Sequence, residues 1–172
     1  IHSTEDSADV ISVTILAVPA LPLGRVISRK GAAVGDLLAV TGRLGGSLQP
    51  DGGGRHLDFP PRLEEAMELA RSMGADLVAM LDVSDGIARD AGRLAAAGGV
   101  DVRIATTSLP CNPGCDWRQA VGDGEDYELL FACRSHPPAM LDGLPVTVIG
   151  RFVDASEAPG CVSVELDGSI RN

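Results

Sequence analysis

Two acidic groupings carry the most specific chemical options in this chain. Asp82 and Asp85 stand three residues apart in Asp82-Val83-Ser84-Asp85-Gly86, between an apolar strand-like run and a helical one. Carboxylates placed at a strand end and a helix start can converge on a point just beyond the sheet edge. A hard divalent cation such as magnesium takes one or two carboxylates and completes its shell with phosphate oxygens and water. The pair therefore suits a phosphate-metal clamp, with Ser84 and the first free N–H groups of the helix as phosphate contacts. The same residues also suit an ordinary cap, in which Ser84 or Asp85 satisfies the first helical turn.

The second grouping is Asp123-Gly124-Glu125-Asp126-Tyr127-Glu128. Four carboxylates ahead of a buried strand would repel one another in a dry interior, so some must face solvent, a cation or a basic group. This is either an exposed acidic turn or a ligand-facing loop that orients a polar or cationic substrate group. Arg29, Lys30, Arg55 and Arg62 supply positive charge in loops or at a helix start. The planar fork of arginine suits phosphate oxygens. His2, His56 and His136 are scattered and suggest no triad or zinc cluster. The glycine-rich segments 41–47 and 51–54 match neither the phosphate loop ending in Gly-Lys-Ser/Thr nor the dinucleotide fingerprint. Of Cys111, Cys115, Cys133 and Cys161, only the first two are close in sequence, which favours buried or loop thiols over a metal site.

These residues need a scaffold, and the chain is long enough to build one. Its 172 residues are 45% hydrophobic and carry a net charge of -10, which argues against a nucleic-acid binder or an anionic membrane partner. The apolar stretch 15–23 is broken by Pro19 and Pro22 and is far shorter than the roughly 20 residues that span a bilayer. No basic leader precedes it, so the expected compartment is the cytoplasm. Alternation predicts a strand over 10–18, followed by a proline-rich link. Strands are expected at 36–41, 77–81, 100–105, 127–133, 146–150 and 161–166. Helices are expected at 62–73, after the Pro60-Pro61 pair, and at 86–97, closed by Gly98-Gly99. Only residues 137–144 offer a further short helix, and 106–124 reads as a long loop. The pattern predicts an α+β fold: a mixed β-sheet with both helices packed on one face. The core is expected to contain Leu38, Val40, Met67, Leu77, Val78, Met80, Leu94, Val102, Ile104, Leu129, Phe131, Val148 and Ile149.

The runs RKGAAVGDLLAVTGRLGGS (29–47), GRHLDFPPRLEEAMELA (54–70), AMLDVSDGIARDAGRLA (79–95), SLP (108–110) and GEDYELLFA (124–132) together resemble thiamine-monophosphate kinase, in the aminoimidazole ribonucleotide synthetase-like superfamily. They cover most of residues 10–167 and about the second half of a typical family member. The resemblance implies magnesium- and ATP-dependent phosphorylation of thiamine monophosphate to thiamine diphosphate. It implies Asp82 and Asp85 as magnesium ligands, Arg29 and Ser84 as ATP contacts and Glu125 as a contact to the thiamine moiety. It also implies that 1–28 is a remnant of an N-terminal ATP-binding domain and 29–172 the C-terminal domain. Homodimerisation is left open. Departures from the family pattern are Asp123 in place of Gly, a shortened segment after the YELLF strand, and no closing aromatic motif near the C-terminus. Another superfamily enzyme, or a non-catalytic structural or assembly domain, are the alternative readings.

Overall fold

The computed structural model describes residues 12–16, 18, 24–156, 158–166 and 169–171. Its strands are β1 (Leu37–Thr41), β2 (Leu77–Asp82), β3 (Asp101–Ala105), β4 (Leu129–Cys133), β5 (Met140–Leu141), β6 (Leu144–Val153), β7 (Val162–Leu166) and β8 (Ser169–Arg171). The helices are α1 (Leu63–Met73), α2 (Ile87–Gly98) and α3 (Trp117–Gly122). One sheet runs in the order β2-β4-β1-β6-β3-β7-β8, with β5 paired to β6. Every pairing is antiparallel except β3 with β7, so the sheet is mixed and the fold is α+β, as expected.

β1 lies between β4 and β6, and all five of its residues are buried. Burial on both sheet faces explains why it reads as a continuous apolar run and not as an alternation. Its side chains still divide by parity. Leu38 and Val40 join Val78, Leu130, Ile104, Ile149 and Phe152 on one face, while Leu37 and Ala39 join Leu77, Phe131 and Cys133 on the other. α2 covers the first face with Ile87, Ala91, Leu94 and Ala95, a spacing that places them on one side of the helix. α3 joins it there through Ala120 and Trp117. α1 lies across the sheet from them, since Leu69 packs with the second cluster. The mixed sheet with helices packed on a face is as expected, and α1 adds cover on the other side. Helical periodicity tells which side of a helix is apolar, but not which sheet face receives it.

Nine of the expected core residues are buried. Met67, Met80, Leu129 and Val148 are half-buried. The last three lie in the second cluster, where α1 is the covering helix. α2 ends at Gly99 in the left-handed region (φ 75°). A Cβ on the preceding Gly98 would come within 2.3 Å of the Ala32 carbonyl oxygen, so only glycine permits that approach.

Three expectations need correction. Residues 12–16 and 18 of the expected strand 10–18 are in no strand, because no described strand offers them a ladder, and Val13, Ile15, Leu16 and Val18 are exposed. Residues 10, 11 and 17 of that stretch lie outside the described residues. The segment 137–144 is no helix. Asp142 and Gly143, at φ 43° and 85°, form the two-residue turn of a hairpin that pairs Leu141 with Leu144. The loop 106–124 contains α3, started by a capping box in which Asp116 accepts from the Arg118 and Gln119 backbone amides. Among the described residues no helix is long and apolar enough to cross a membrane.

Candidate functional site

The two acidic groupings meet because β2 and β4 are antiparallel neighbours that pair Asp82 with Leu129. The pairing continues past the strand ends. Val83 donates its backbone N–H to the Glu128 carbonyl at 2.8 Å, Tyr127 donates to the Val83 carbonyl at 2.8 Å, and Glu125 donates to the Ser84 carbonyl at 2.9 Å. The approach is close enough that a Cβ on Gly124 (φ 73°) would sit 2.8 Å from the Ser84 carbonyl oxygen. Glu125 and Tyr127 also hold left-handed backbones, at φ 57° and 51°. Such conformations in non-glycine residues cost on the order of 1–3 kcal/mol and persist where the surroundings impose them.

The carboxylates of 123–128 are mostly occupied. The Asp126 side chain is fully buried. It accepts from the Gly45 amide at 3.0 Å, from the Ser47 hydroxyl and from Arg55 at 3.2 Å. Burial pushes its carboxyl above the usual range, against the pull of these donors. Glu128 takes a two-pronged contact from Arg62, Nε at 2.9 Å and Nη2 at 2.7 Å, and the Thr41 hydroxyl at 2.6 Å. The Glu128 hydrogen bond, followed by its charge, raises the Arg62 guanidinium further. Asp123 accepts from the Gly46 amide at 3.0 Å. Glu125, half-buried, accepts the Tyr127 hydroxyl at 2.7 Å, and that bond is the main cause raising the tyrosine's pKa. The Tyr127 ring stacks on Phe59, with centroids 4.1 Å apart.

The Asp82–Gly86 turn is organised differently. Asp90, buried one turn into α2, accepts from the backbone amides of Ser84 at 3.1 Å and Asp85 at 2.9 Å. The N-cap residue Gly86 makes no side-chain capping bond, so neither Ser84 nor Asp85 serves as the cap. Asp85 pairs with Arg93, which also reaches Asp90 at 2.6 Å. The Asp82 side chain is exposed and has no hydrogen-bond or ion-pair partner among the described residues. Asp82 and Asp85 both offer the oxygen donors that magnesium prefers, but Asp82 is not among the residues lining the cleft that Asp85 lines. No group of three or more His, Cys, Asp and Glu side chains able to hold a metal is found among the described residues.

Ser84, Asp85 and Glu125 line one cleft of about 400 Å³, together with Arg89, Asp123 and Leu48. Glu125 also lines a smaller cavity of about 100 Å³ with Arg55, Phe59, Arg62 and Tyr127. Arg29 lines neither. It follows Ser28, whose carbonyl accepts the Met80 amide, and so stands along the outer edge of β2. Arg55 and Arg62, read from sequence as phosphate donors, are engaged with Asp126 and Glu128. His56 contacts the Ser47 carbonyl. Sequence reading missed Asp90, Arg93 and Arg89. Their helical spacing from Gly86 onward was the available signal, since residues three and four apart share a helix face.

A thiamine-monophosphate kinase of Rhodopirellula baltica is 36% identical over 165 residues, covering 88% of this chain and 49% of that protein. The chain is homologous to thiamine-monophosphate kinases over most of its length. AaThiL, solved in complex with AMPPCP and TMP, is 26% identical, with a TM-score of 0.57 over 83% of this chain and 51% of that one. HypE of E. coli, a hydrogenase maturation protein, shares the fold at 22% identity and a TM-score of 0.60, over 85% of this chain and 51% of its own. No family model matches. The chain spans about half the length of the curated thiamine-monophosphate kinases it matches. All four cysteines are free thiols, and burial pushes Cys133 up to about 12.

Proposed function

We propose that the chain serves in ATP- and magnesium-dependent phosphorylation of thiamine monophosphate to thiamine diphosphate. The observation that carries this is the joining of the Asp82–Gly86 turn to the 124–128 loop, which sets Ser84, Asp85 and Glu125 in one cleft. The similarity to AaThiL, solved with AMPPCP and TMP, supports it. In this reading 1–28 is the remnant of an ATP-binding domain and 29–172 the C-terminal domain. The protein is cytoplasmic, and its net charge of -10 speaks against nucleic acid as a partner.

Asp82 and Asp85 would hold magnesium, which when bound neutralises charge on the transferring phosphoryl oxygens. Arg93 must then yield part of its hold on Asp85, while Asp90 keeps the turn in shape. Ser84 contacts the nucleotide, and Arg29 reaches its phosphates from the β2 edge. Glu125, aimed by Tyr127, contacts the thiamine moiety. The acceptor phosphate is already ionised, so the residues need no strong base; positioning carries the rate.

The test follows thiamine diphosphate formation with Asp85→Asn purified in parallel. Magnesium-dependent turnover that disappears in the variant is the expected result, and turnover equal in both would defeat the assignment. A second reading, a non-catalytic domain, is favoured by the pairing of Asp85 with Arg93, which occupies that carboxylate, and by Asp82 lying outside the cleft that Asp85 lines. It predicts no magnesium-dependent nucleotide binding.

A further inference from the structure

The second sheet face is unevenly covered. α1 packs with residues of β2, β4 and β1, but the link from β4 to β6 holds only the two-residue β5 and no helix. Beyond β1, strands β6, β3 and β7 line a cavity of about 390 Å³. Arg103 of β3 and Arg151 of β6 are directly opposed in the antiparallel ladder, and both line it. Opposed side chains start from Cβ atoms about 5 Å apart, and like charges in that relation repel.

No ion pair among the described residues offsets that repulsion. Arg151 gives one N–H to the Gly35 carbonyl at 2.9 Å, and both side chains are exposed. Ser108 and His136 line the same cavity, against one described carboxylate, Glu165. Two adjacent cations facing a single carboxylate, with no ion pair formed among the described residues, stand out in a chain of net charge -10.

We propose that this cavity is an oxyanion site that takes a small phosphate-bearing molecule, distinct from the cleft at Asp85. Two arginine forks with a hydroxyl and an imidazole offer more donors than one carboxylate can accept, whereas a phosphate has acceptor oxygens for all of them. Val148 and Val153 line the same cavity, so the two guanidinium groups share it with apolar side chains. Leu37, which pairs with Arg151, lies four residues along β1 from Thr41, the partner of Glu128, or roughly 13 Å at a strand's rise. None of the residues lining this cavity lines the other cleft.

Calorimetric titration of the full chain with inorganic phosphate, in EDTA so that no metal-dependent site contributes, tests the assignment. One saturable site is expected, weakened about tenfold or more in Arg103→Gln and again in Arg151→Gln. Arg103→Lys keeps the charge but loses the fork, and should fall between wild type and Arg103→Gln. Thermal melts with phosphate should show a stabilising shift in the wild type that both glutamine variants lose, which separates binding from misfolding. A parallel titration with citrate distinguishes the anion class, and citrate binding without phosphate binding would overturn the phosphate assignment. Absence of saturable phosphate binding, or phosphate affinity unchanged in both glutamine variants, would overturn the site itself.

Discussion

The Asp82–Gly86 turn and the 123–128 loop are both acidic and are hydrogen-bonded to each other, yet they use their carboxylates in opposite ways. In 123–128, Asp126 and Glu128 point inward and are consumed by Gly45, Ser47, Arg62 and Thr41. In the turn, Asp82 is exposed and Asp85 is held by a half-exposed arginine, while the buried Asp90 does the structural work. A carboxylate's role here follows from the donors that the fold brings to it, and residue type alone does not assign it. The loop builds the wall of the cleft, and the turn keeps its charge available.

The contrast is broken most severely at the buried pair. Arg62→Ala should cost about 3 kcal/mol or more in urea unfolding, because it strips Glu128 of its two-pronged partner inside the fold. A loss below 1 kcal/mol would mean that Glu128 can reach water. Gly124→Ala should cost about 2 kcal/mol, since it adds a Cβ against the Ser84 carbonyl at a positive φ. Faster amide exchange at Val83 and Tyr127 should accompany it, and unchanged exchange would show that the two segments are not joined there.

Acidity sharpens the comparison. Burial raises the Asp126 pKa, so the folded state holds its proton more tightly than the unfolded chain does. That contribution is fully present below the ordinary aspartate value of about 4 and is lost as pH rises through the raised folded value. The stability difference between wild type and Asp126→Asn should therefore shrink with rising pH over that window. A difference that grows would reverse the assigned direction.

The smallest stability effect belongs to the turn. Asp85→Asn breaks an ion pair whose members are both more than a third exposed, so solvent screening keeps the loss small. Magnesium-dependent nucleotide binding should nonetheless drop about tenfold or more if Asp85 holds the metal as proposed. Measured together, denaturation and binding separate a residue kept for chemistry from one kept for the fold. A large stability loss with intact binding would place Asp85 with Asp126.

Much of the scaffold could be read in advance because its signals are local. The 87, 91, 94, 95 spacing, the Pro60-Pro61 entry and the Gly98-Gly99 exit mark helices without reference to anything distant. Asp142-Gly143 and the Asp116–Gln119 capping box were equally local and were overlooked beside weaker apolar patterns. The strand expected at 10–18 failed for a different reason: alternation shows that a segment could be a strand, but a strand exists only where a neighbour supplies hydrogen bonds.

For the site, the amino-acid sequence by itself determined that two acidic motifs flank apolar strands, and that both resemble those of thiamine-monophosphate kinases. The tertiary structure alone decided which carboxylates remain available. Asp126 finds its donors in residues 45, 47 and 55, Glu128 finds Arg62 and Thr41, and α1 settles on the face opposite α2. Local spacing sets helices, turns and caps, because their partners lie within a few residues. The fate of a charge depends on donors up to 80 or more residues away, which only the folded sheet brings within hydrogen-bonding distance.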